Sequence, residues 1–193
     1  MSWGEAVPLA GERVRLEPMT RDHAAGITAA ADDDAVFEHL RIPRPVGVDG
    51  AREMIDGYLA MRPGLSPWVQ VVDGEVAGMT TYYDLDESLR TVAIGHTWLG
   101  RRFWRTRANT EAKLLLLAHA FEALDCVRVV WHVDLRNARS QAAVLRLGAT
   151  REGVLRKHKQ RRDGSWRDTV VFSMTDDDWP EAQEALVARL ADG

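Results

Sequence analysis

The chain has 193 residues, of which 46% are hydrophobic, and it carries a formal net charge of −4 at pH 7. This size and balance suit one globular domain, and the negative charge disfavours a general nucleic-acid binder, which would need a basic surface. The lone cysteine, Cys126, excludes an internal disulfide and is expected to be a buried, unreactive thiol.

The first part of the chain is predicted to form a strand and two helices. Alternating apolar residues favour a strand over 12–18, and Thr20 is a suitable N-cap for the helix that follows. Apolar residues at helical spacing after Asp49 predict a second helix. The sequence RPGLSP, residues 62–67, is expected to end that helix and to precede the next strand.

From Trp68 onward the apolar residues alternate with a period of two. The dipeptide Asp73-Gly74 predicts a hairpin turn between two strands, and residues 89–99 form a third strand of this antiparallel meander. An amphipathic helix over 109–124 follows, with leucine and phenylalanine side chains along one face.

The last third of the chain is predicted to form a strand, a helix, a hairpin and a final helix. Residues 126–135 form the strand, Asn137 caps the next helix, and Gly148 supplies the left-handed residue beyond its end. The hairpin covers 152–174 and turns at Asp163-Gly164.

These elements together predict one α+β domain over residues 1–193, with a mixed, mainly antiparallel central sheet flanked by helices and about two-thirds antiparallel. The N-terminal sequence lacks the basic start and apolar core of a signal peptide. The longest aliphatic run, residues 114–118, is too short to cross a bilayer. We therefore expect a cytoplasmic protein with no membrane partner.

Positive charge is concentrated where the leucine-rich helix begins. The loop over 100–108 leads into that helix at Asn109, and a helix start exposes unpaired backbone N–H groups that bind anions such as phosphate. Arginine forks also suit phosphate, so a pyrophosphate ligand would explain both features. The alternative is a solvated surface cluster. The four arginines of this loop are Arg101, Arg102, Arg105 and Arg107.

The order of elements and several local sequences resemble the GNAT acyltransferase superfamily, and its RimJ/RimL-type branch in particular. The matching sequences are IGHTWL (94–99), NTEAKLLLLAHAFE (109–122), RVVWHVDLRNARSQAAVLRLGATREGVLR (128–156) and DGSWRDTVVFSM (163–174). The resemblance implies a GNAT-like fold and an acyl-CoA co-substrate, with acetyl-CoA as the expected donor. In this family the pantetheine arm lies along the splayed end of the strand over 89–99, and the pyrophosphate meets the loop before Asn109.

The resemblance also implies a set of cofactor-binding residues. They are Trp98, Leu99, Arg102, Trp104, Arg105, Thr106, Arg107, Ala108, Asn109 and Asn137. The family's loop follows the pattern Q/R-x-x-G-x-G/A, in which glycines let the backbone approach the phosphates. Here Arg102 takes the first position, but Arg105 and Arg107 stand where glycine is usual. The added guanidiniums either supply phosphate contacts, which we favour, or obstruct the loop.

Acyl transfer to an amine needs donors for the thioester carbonyl, a proton for the departing thiolate and a base for the amine. The resemblance implies that Asn137 bonds the CoA arm and that Ser140 protonates the thiolate. The alternative for Ser140 is a hydrogen bond within its own helical turn. Some relatives use a glutamate as the base on the penultimate strand, where this chain has Lys159.

Histidine is the natural substitute for that glutamate because it titrates near neutral pH. The candidates are His96 on the central strand, which we rank first, and His158 on the penultimate strand. His132 and His119 are interpreted as packing or surface residues. The spacing of His, Cys, Asp and Glu predicts no metal site.

The sequence therefore predicts an N-acetyltransferase that acts by direct attack of a primary amine, either a protein or peptide N-terminus or a small molecule. Another donor such as succinyl-CoA, or a non-catalytic acyl-CoA-binding module, are alternatives. The basic run over 156–162 decorates a hairpin, or attracts an acidic acceptor or the nucleotide 3′-phosphate. Overall acidity disfavours an RNA-binding role for it. A homodimer is a further possibility, since many relatives form dimers.

Overall fold

One mixed sheet runs through the part of the chain that the structure, a computed structural model, describes, namely residues 3–192. Its strands are β1 (Leu9–Ala10), β2 (Val14–Pro18), β3 (Leu65–Val72), β4 (Glu75–Asp86), β5 (Thr91–Leu99), β6 (Arg128–Asp134), β7 (Thr150–Gln160) and β8 (Trp166–Thr175). The α-helices are α1 (Ala24–Ala30), α2 (Gly47–Ala60), α3 (Ala108–Ala118), α4 (Ala138–Leu145) and α5 (Trp179–Asp192). None of the helices within residues 3–192 combines the length and apolar composition needed to cross a membrane.

The strand order is β1-β2-β3-β4-β5-β6-β8-β7. Within residues 3–192, six of the seven neighbouring pairs are antiparallel, more than the predicted two-thirds. The exception is the parallel pair β5 and β6, which are in register only from Thr91 to Ala93 on one strand and from Arg128 to Val130 on the other. The predicted α+β class is confirmed, and the short parallel contact separates the carboxyl-terminal halves of β5 and β6.

Local sequence signals explain most of these elements. Asp73 and Gly74 join β3 to β4 with φ values of 50° and 86°, a left-handed pair that suits a two-residue hairpin turn. Gly164 has a φ of 80° in the turn between β7 and β8. Asn137 accepts a hydrogen bond from the backbone at the start of α4, and Gly148 adopts a φ of 94° after its end, as predicted.

The helices cover both faces of the sheet. Helices α1 and α2 pack against one face, where Ile27, Ile55 and Trp98 are buried in a common cluster. Helices α3 and α5 cover the other face, where Leu116 and Leu186 join the apolar side chains of the sheet. Apolar stripes of these helices explain both layers, since each helix buries one face.

Several boundaries differ from the sequence-based expectation. Helix α2 begins at Gly47 rather than Asp49, and α3 begins at Ala108 and ends in a π-helical turn over His119–Ala123. Strand β3 begins at Leu65, so the expected breaker sequence is partly strand. At Pro67 this strand pairs with β4 alone, and an unpaired side tolerates the missing N–H of proline.

Two further differences concern short features that local patterns do not reveal. The two-residue strand β1 was not predicted, because two residues carry no periodicity. The single-domain assignment over residues 1–193 stays a prediction.

A β-bulge interrupts β5 beside the parallel contact. Met79 pairs with Trp98 and Thr81 pairs with Gly95, so two residues of β5 lie opposite one residue of β4. The bulged residue His96 has a φ of 50°, in the left-handed region. Bulges redirect side chains and release backbone groups from the ladder, and they are common next to active sites.

Candidate active site

A cavity of about 920 Å³ lies where β5 and β6 separate. Its walls are the second half of β5, the loop and first turn that lead into α3, the second half of β6 and the first turns of α4. The sheet therefore has a gap between two strands, with two helix starts facing the gap. A cleft of this kind suits an extended ligand arm that ends in an anion.

The loop between β5 and α3 combines backbone strain with exposed donors. Arg105 has a φ of 61°, a conformation that glycine adopts at little cost and other residues adopt rarely. The first α-helical hydrogen bond runs from the Glu111 N–H to the Arg107 carbonyl, 2.9 Å apart. The N–H groups before Glu111 belong to the open end of the helix, and Asn109 and Thr110 line the cavity there.

The four loop arginines do not all face this cavity. Arg101 forms an ion pair with Asp33, and Arg102 forms one with Glu75 at 3.1 Å. The Arg107 guanidinium donates to the carbonyl of Leu190 at 2.5 Å, at the end of α5. Arg105 is therefore the member of this group that lines the cavity among the described residues.

The start of α4 faces the same gap from the other side. The Asn137 side-chain oxygen accepts a hydrogen bond from the Ser140 N–H at 3.0 Å, so that Asn137 caps the helix while its amide nitrogen stays available. Both residues line the cavity. The guanidinium carbon of Arg139 lies 3.6 Å from the ring centroid of Trp104, whose indole N–H donates to the Leu99 carbonyl at 2.8 Å.

His96 lies open to the cavity at the β5 bulge. Its Nδ1 is hydrogen-bonded to the Tyr58 hydroxyl at 3.0 Å, and its ring lies 5.4 Å from that of Tyr83. Partial removal from water lowers the pKa of His96, and the positive charges of Lys159 and Arg41 lower it further. A histidine held neutral in this way can accept a proton.

A second tyrosine–histidine pair adjoins the first. The Tyr83 hydroxyl is hydrogen-bonded to Nδ1 of His132 at 2.9 Å. The His132 ring lies 5.8 Å from that of His158, which is exposed on β7. Burial, followed by the charge of Lys159, lowers the pKa of both histidines. His132 lines the cavity, so it is more than the packing or surface residue expected from the sequence.

Lys113 lies beneath the bulge, on the α3 side of the sheet. It is 5% exposed, and its ammonium group donates to Thr80 at 3.0 Å and to Thr97 at 2.8 Å. The two hydroxyl groups are themselves 2.8 Å apart. Burial lowers the pKa of Lys113 to about 7, because no carboxylate of the described residues pairs with it.

The structure brings most of the sequence-predicted site residues to one cavity. The residues that line it are His96, Trp98, Leu99, Trp104, Arg105, Thr106, Asn109, Asn137 and Ser140. The predicted residues outside its lining are Arg102, Arg107, Ala108 and His158. Sequence reasoning did not single out Tyr58, Tyr83, Lys113 and Arg139, which also line it. Lys113 offered one signal, since it lies one turn after Asn109 on the same helix face.

His119 is separate from this site. It is buried, and its ring stacks on that of Tyr82 with centroids 5.9 Å apart, which agrees with a packing role. Within residues 3–192, no three His, Cys, Asp or Glu side chains come together as a metal site requires. The absence of a metal from the reaction stays a prediction.

Comparison with known proteins agrees with this geometry. The sequence model described as "Acetyltransferase (GNAT) domain" matches residues 13–150. A protein of known structure from T. thermophilus, assigned as an acetyltransferase, is 40% identical and has a TM-score of 0.88, with 96% of this chain and 97% of that chain covered.

Two other relatives are more distant. Mycobacterium smegmatis RimJ, solved in complex with CoA-disulfide, is 26% identical and has a TM-score of 0.77, with 95% of this chain and 93% of that chain covered. The uncharacterised N-acetyltransferase YoaA of Bacillus subtilis (strain 168) is 25% identical over 167 residues, which are 84% of this chain and 93% of YoaA. The match spans nearly the whole length of each relative.

Proposed function

The chain belongs to the GNAT acetyltransferase family, and on that premise we propose that it transfers an acetyl group from acetyl-CoA to a primary amine. The resemblance noted in the sequence is confirmed, and RimJ is among the structural neighbours. The acceptor is a protein or peptide N-terminus or a small-molecule amine. The predicted cytoplasmic location and homodimer remain predictions.

The observation that carries this proposal is the gap between β5 and β6 beside the open start of α3. A pantetheine arm lying in the gap could accept and donate hydrogen bonds along the strand edges, as a neighbouring strand would. The diphosphate would bind the backbone N–H groups at the loop and first turn, near Arg105 and Asn109. The left-handed backbone at Arg105 supports this fit, because the family's loop has glycine there.

The acyl-CoA supplies the activated thioester, and the remaining roles fall to side chains of this chain. We assign the transfer of a proton to the thiolate sulfur to Ser140, at the first turn of α4. We assign acceptance of the amine proton to His96, whose pKa is lowered and whose Nδ1 is oriented by Tyr58. The backbone released at the bulge can donate to the carbonyl oxygen as it gains charge.

Direct attack balances without a covalent enzyme intermediate. The neutral amine nitrogen forms a bond to the thioester carbonyl carbon, and the carbon–sulfur bond breaks when the tetrahedral species collapses. His96 receives the proton that the amine loses, and Ser140 gives its proton to the thiolate. The products are the acetylated amine and free CoA thiol.

The test is incubation of the protein with acetyl-CoA and a panel of peptide and small-molecule amines, with free thiol followed over time. Thiol release that depends on both the amine and the enzyme supports the proposal. CoA binding by calorimetry without amine-dependent release would instead support the non-catalytic acyl-CoA-binding module. Absence of both would reject the site itself.

A further inference from the structure

We propose that Arg167 and Lys159, at the β7–β8 wall of the cavity, bind a carboxylate carried by the acceptor amine. This inference rests on the proposed function and adds a substrate class to it. The acceptor would then be an acidic peptide or another amine with a carboxylate within a few atoms of the reacting nitrogen.

Arg167 is a buried cation without a carboxylate partner. It is 9% exposed, and its Nη2 donates to the backbone carbonyl of His132 at 2.8 Å. Its Nε is buried and has no hydrogen-bond partner among residues 3–192. In the same part of the chain, no carboxylate forms an ion pair with it. A buried charge of this kind is costly unless it is paired and hydrogen-bonded.

The nearest acidic side chain is committed elsewhere. Both carboxylate oxygens of Asp134 accept from the guanidinium of Arg161, at 2.7 Å and 2.9 Å. One of them also accepts from the Arg136 N–H at 2.9 Å. Asp134 therefore attracts Arg167 at a distance but does not pair with it.

Lys159 places a second cation beside the first. It lies directly opposite Arg167 in the β7–β8 register, so both side chains project from the same face, and both line the cavity. Like charges at directly opposed positions are destabilising. Burial, and then the charge of Arg167, lower the pKa of Lys159. A bound carboxylate would relieve the repulsion and supply the missing acceptor.

The other charged and titratable groups around this pair leave it cationic. Arg41 and Arg161 add positive charge, and Asp84, which is exposed, is the acidic group that attracts Lys159. The neutral or titratable neighbours are Tyr83, His96, His132 and His158. Lys159 and Arg167 also act on the pKa of His96, which puts the carboxylate site close to the proposed base.

A matched pair of acceptors isolates the carboxylate. The peptides Ser-Glu-Ala-amide and Ser-Gln-Ala-amide share the reacting amine and differ in one side-chain charge. With acetyl-CoA as the donor, we expect kcat/KM to be about tenfold or more higher for the glutamate peptide, mainly through KM, as for a charge-assisted contact of moderate strength. Equal values for the two peptides would overturn the inference while leaving the proposed function intact.

Variants then assign the preference to these residues. Lys159→Gln and Arg167→Gln should each reduce the preference to about threefold or less, with the effect on KM. Arg151→Gln removes the same charge from an exposed position of β7 outside the cavity and should keep the full preference. Arg167→Gln is checked for folding by its thermal midpoint, and Lys159→Gln, at a half-buried position, decides the outcome if it unfolds.

The carboxylate could also come from the acyl group. A donor arm therefore compares succinyl-CoA with acetyl-CoA on a neutral amine. A tenfold preference for succinyl-CoA that Lys159→Gln abolishes would overturn the acceptor assignment and move the carboxylate to the donor. If no amine is acetylated, calorimetry of the two peptides on CoA-loaded protein decides. Tighter binding of the glutamate peptide, lost in Lys159→Gln, supports the carboxylate site although the proposed function has failed.

Discussion

The Arg139 guanidinium stacks on the indole of Trp104, and this contact joins the two sides of the cleft. Trp104 belongs to the loop that follows β5, whereas Arg139 lies in the first turn of α4, which follows β6. Loss of solvation lowers the pKa of Arg139, which Glu38 opposes. The stack therefore links segments that the short β5–β6 contact leaves apart.

A double-mutant cycle measures this link. Cation–π contacts contribute about 0.5 to 2 kcal/mol, so Arg139→Ala and Trp104→Leu should show a coupling of that size in the free energy of unfolding. Urea denaturation of the two single variants, the double variant and the parent gives the value. Additive effects would show that the contact carries no stability.

Arg105 tests whether the loop side chain assists or obstructs CoA. Arg105→Gly and Arg105→Ala both remove the guanidinium, but only glycine removes the cost of the left-handed backbone, about 1 kcal/mol. We expect both to weaken CoA binding by about tenfold in calorimetry, because a charge-assisted phosphate contact is lost.

Arg101→Gln is the matched control, since Arg101 pairs with Asp33 outside the cavity and its loss should leave CoA affinity unchanged. Tighter binding by both Arg105 variants would favour the obstructing role.

The start of α4 separates binding from turnover. Asn137→Asp keeps an oxygen for the helix cap but loses the amide donor, so it should retain stability and bind CoA more weakly. Asn137→Ala should in addition lose about 1 kcal/mol of unfolding free energy. Ser140→Ala leaves the cap intact, because the cap uses the Ser140 backbone, and should lower kcat by about tenfold to a hundredfold or more.

Calorimetry with CoA, urea denaturation and initial rates distinguish these effects. Unchanged turnover in Ser140→Ala would remove Ser140 from the mechanism.

Lys113 makes folding stability depend on pH. Its pKa is about 7 in the folded protein and near 10.5 when unperturbed, so between these values the unfolded chain binds more protons at this residue. Stability from this group therefore rises with pH in that window. Lys113→Met removes the charged-state penalty, and its advantage over the parent should fall by roughly 1.4 kcal/mol per pH unit across the window.

Urea denaturation of parent and variant near pH 7.5 and near pH 9.5 gives this difference free of the other titrating groups. A constant difference would contradict the lowered pKa.

His96 and Lys159 are coupled through charge. Because Lys159 lowers the pKa of His96, Lys159→Gln should raise that pKa and move the acidic limb of the rate profile to higher pH. The profile of kcat/KM is measured with a neutral acceptor, so that carboxylate binding does not contribute. Arg151→Gln should leave the limb in place. An unmoved limb in Lys159→Gln would argue against His96 as the base.

Local signals accounted for much of the fold. Turn residues such as Asp73 and Gly148 and the cap at Asn137 act within a few positions of the chain, so the sequence predicts them directly. Strand β3 was misjudged at Pro67, because pairing on one side alone depends on where the neighbouring strand ends.

The site depended more on tertiary structure. The bulge that turns His96 into the cavity arises from the β4–β5 register, which no local pattern shows. The environment of Lys113 depends on hydroxyl groups from two strands, and the Arg167–Lys159 pair depends on hairpin register. The direction of the loop arginines was equally beyond local reasoning, since Asp33, Glu75 and Leu190 come from distant positions.

The three-residue contact between β5 and β6 makes the sheet two blocks, of five strands and three, that share one seam. A molecule bound along the seam is held by both blocks and acts as a mortar between them. Occupancy and folding are thereby linked: a hundredfold excess of such a molecule over its Kd adds about 2.7 kcal/mol to the free energy of unfolding.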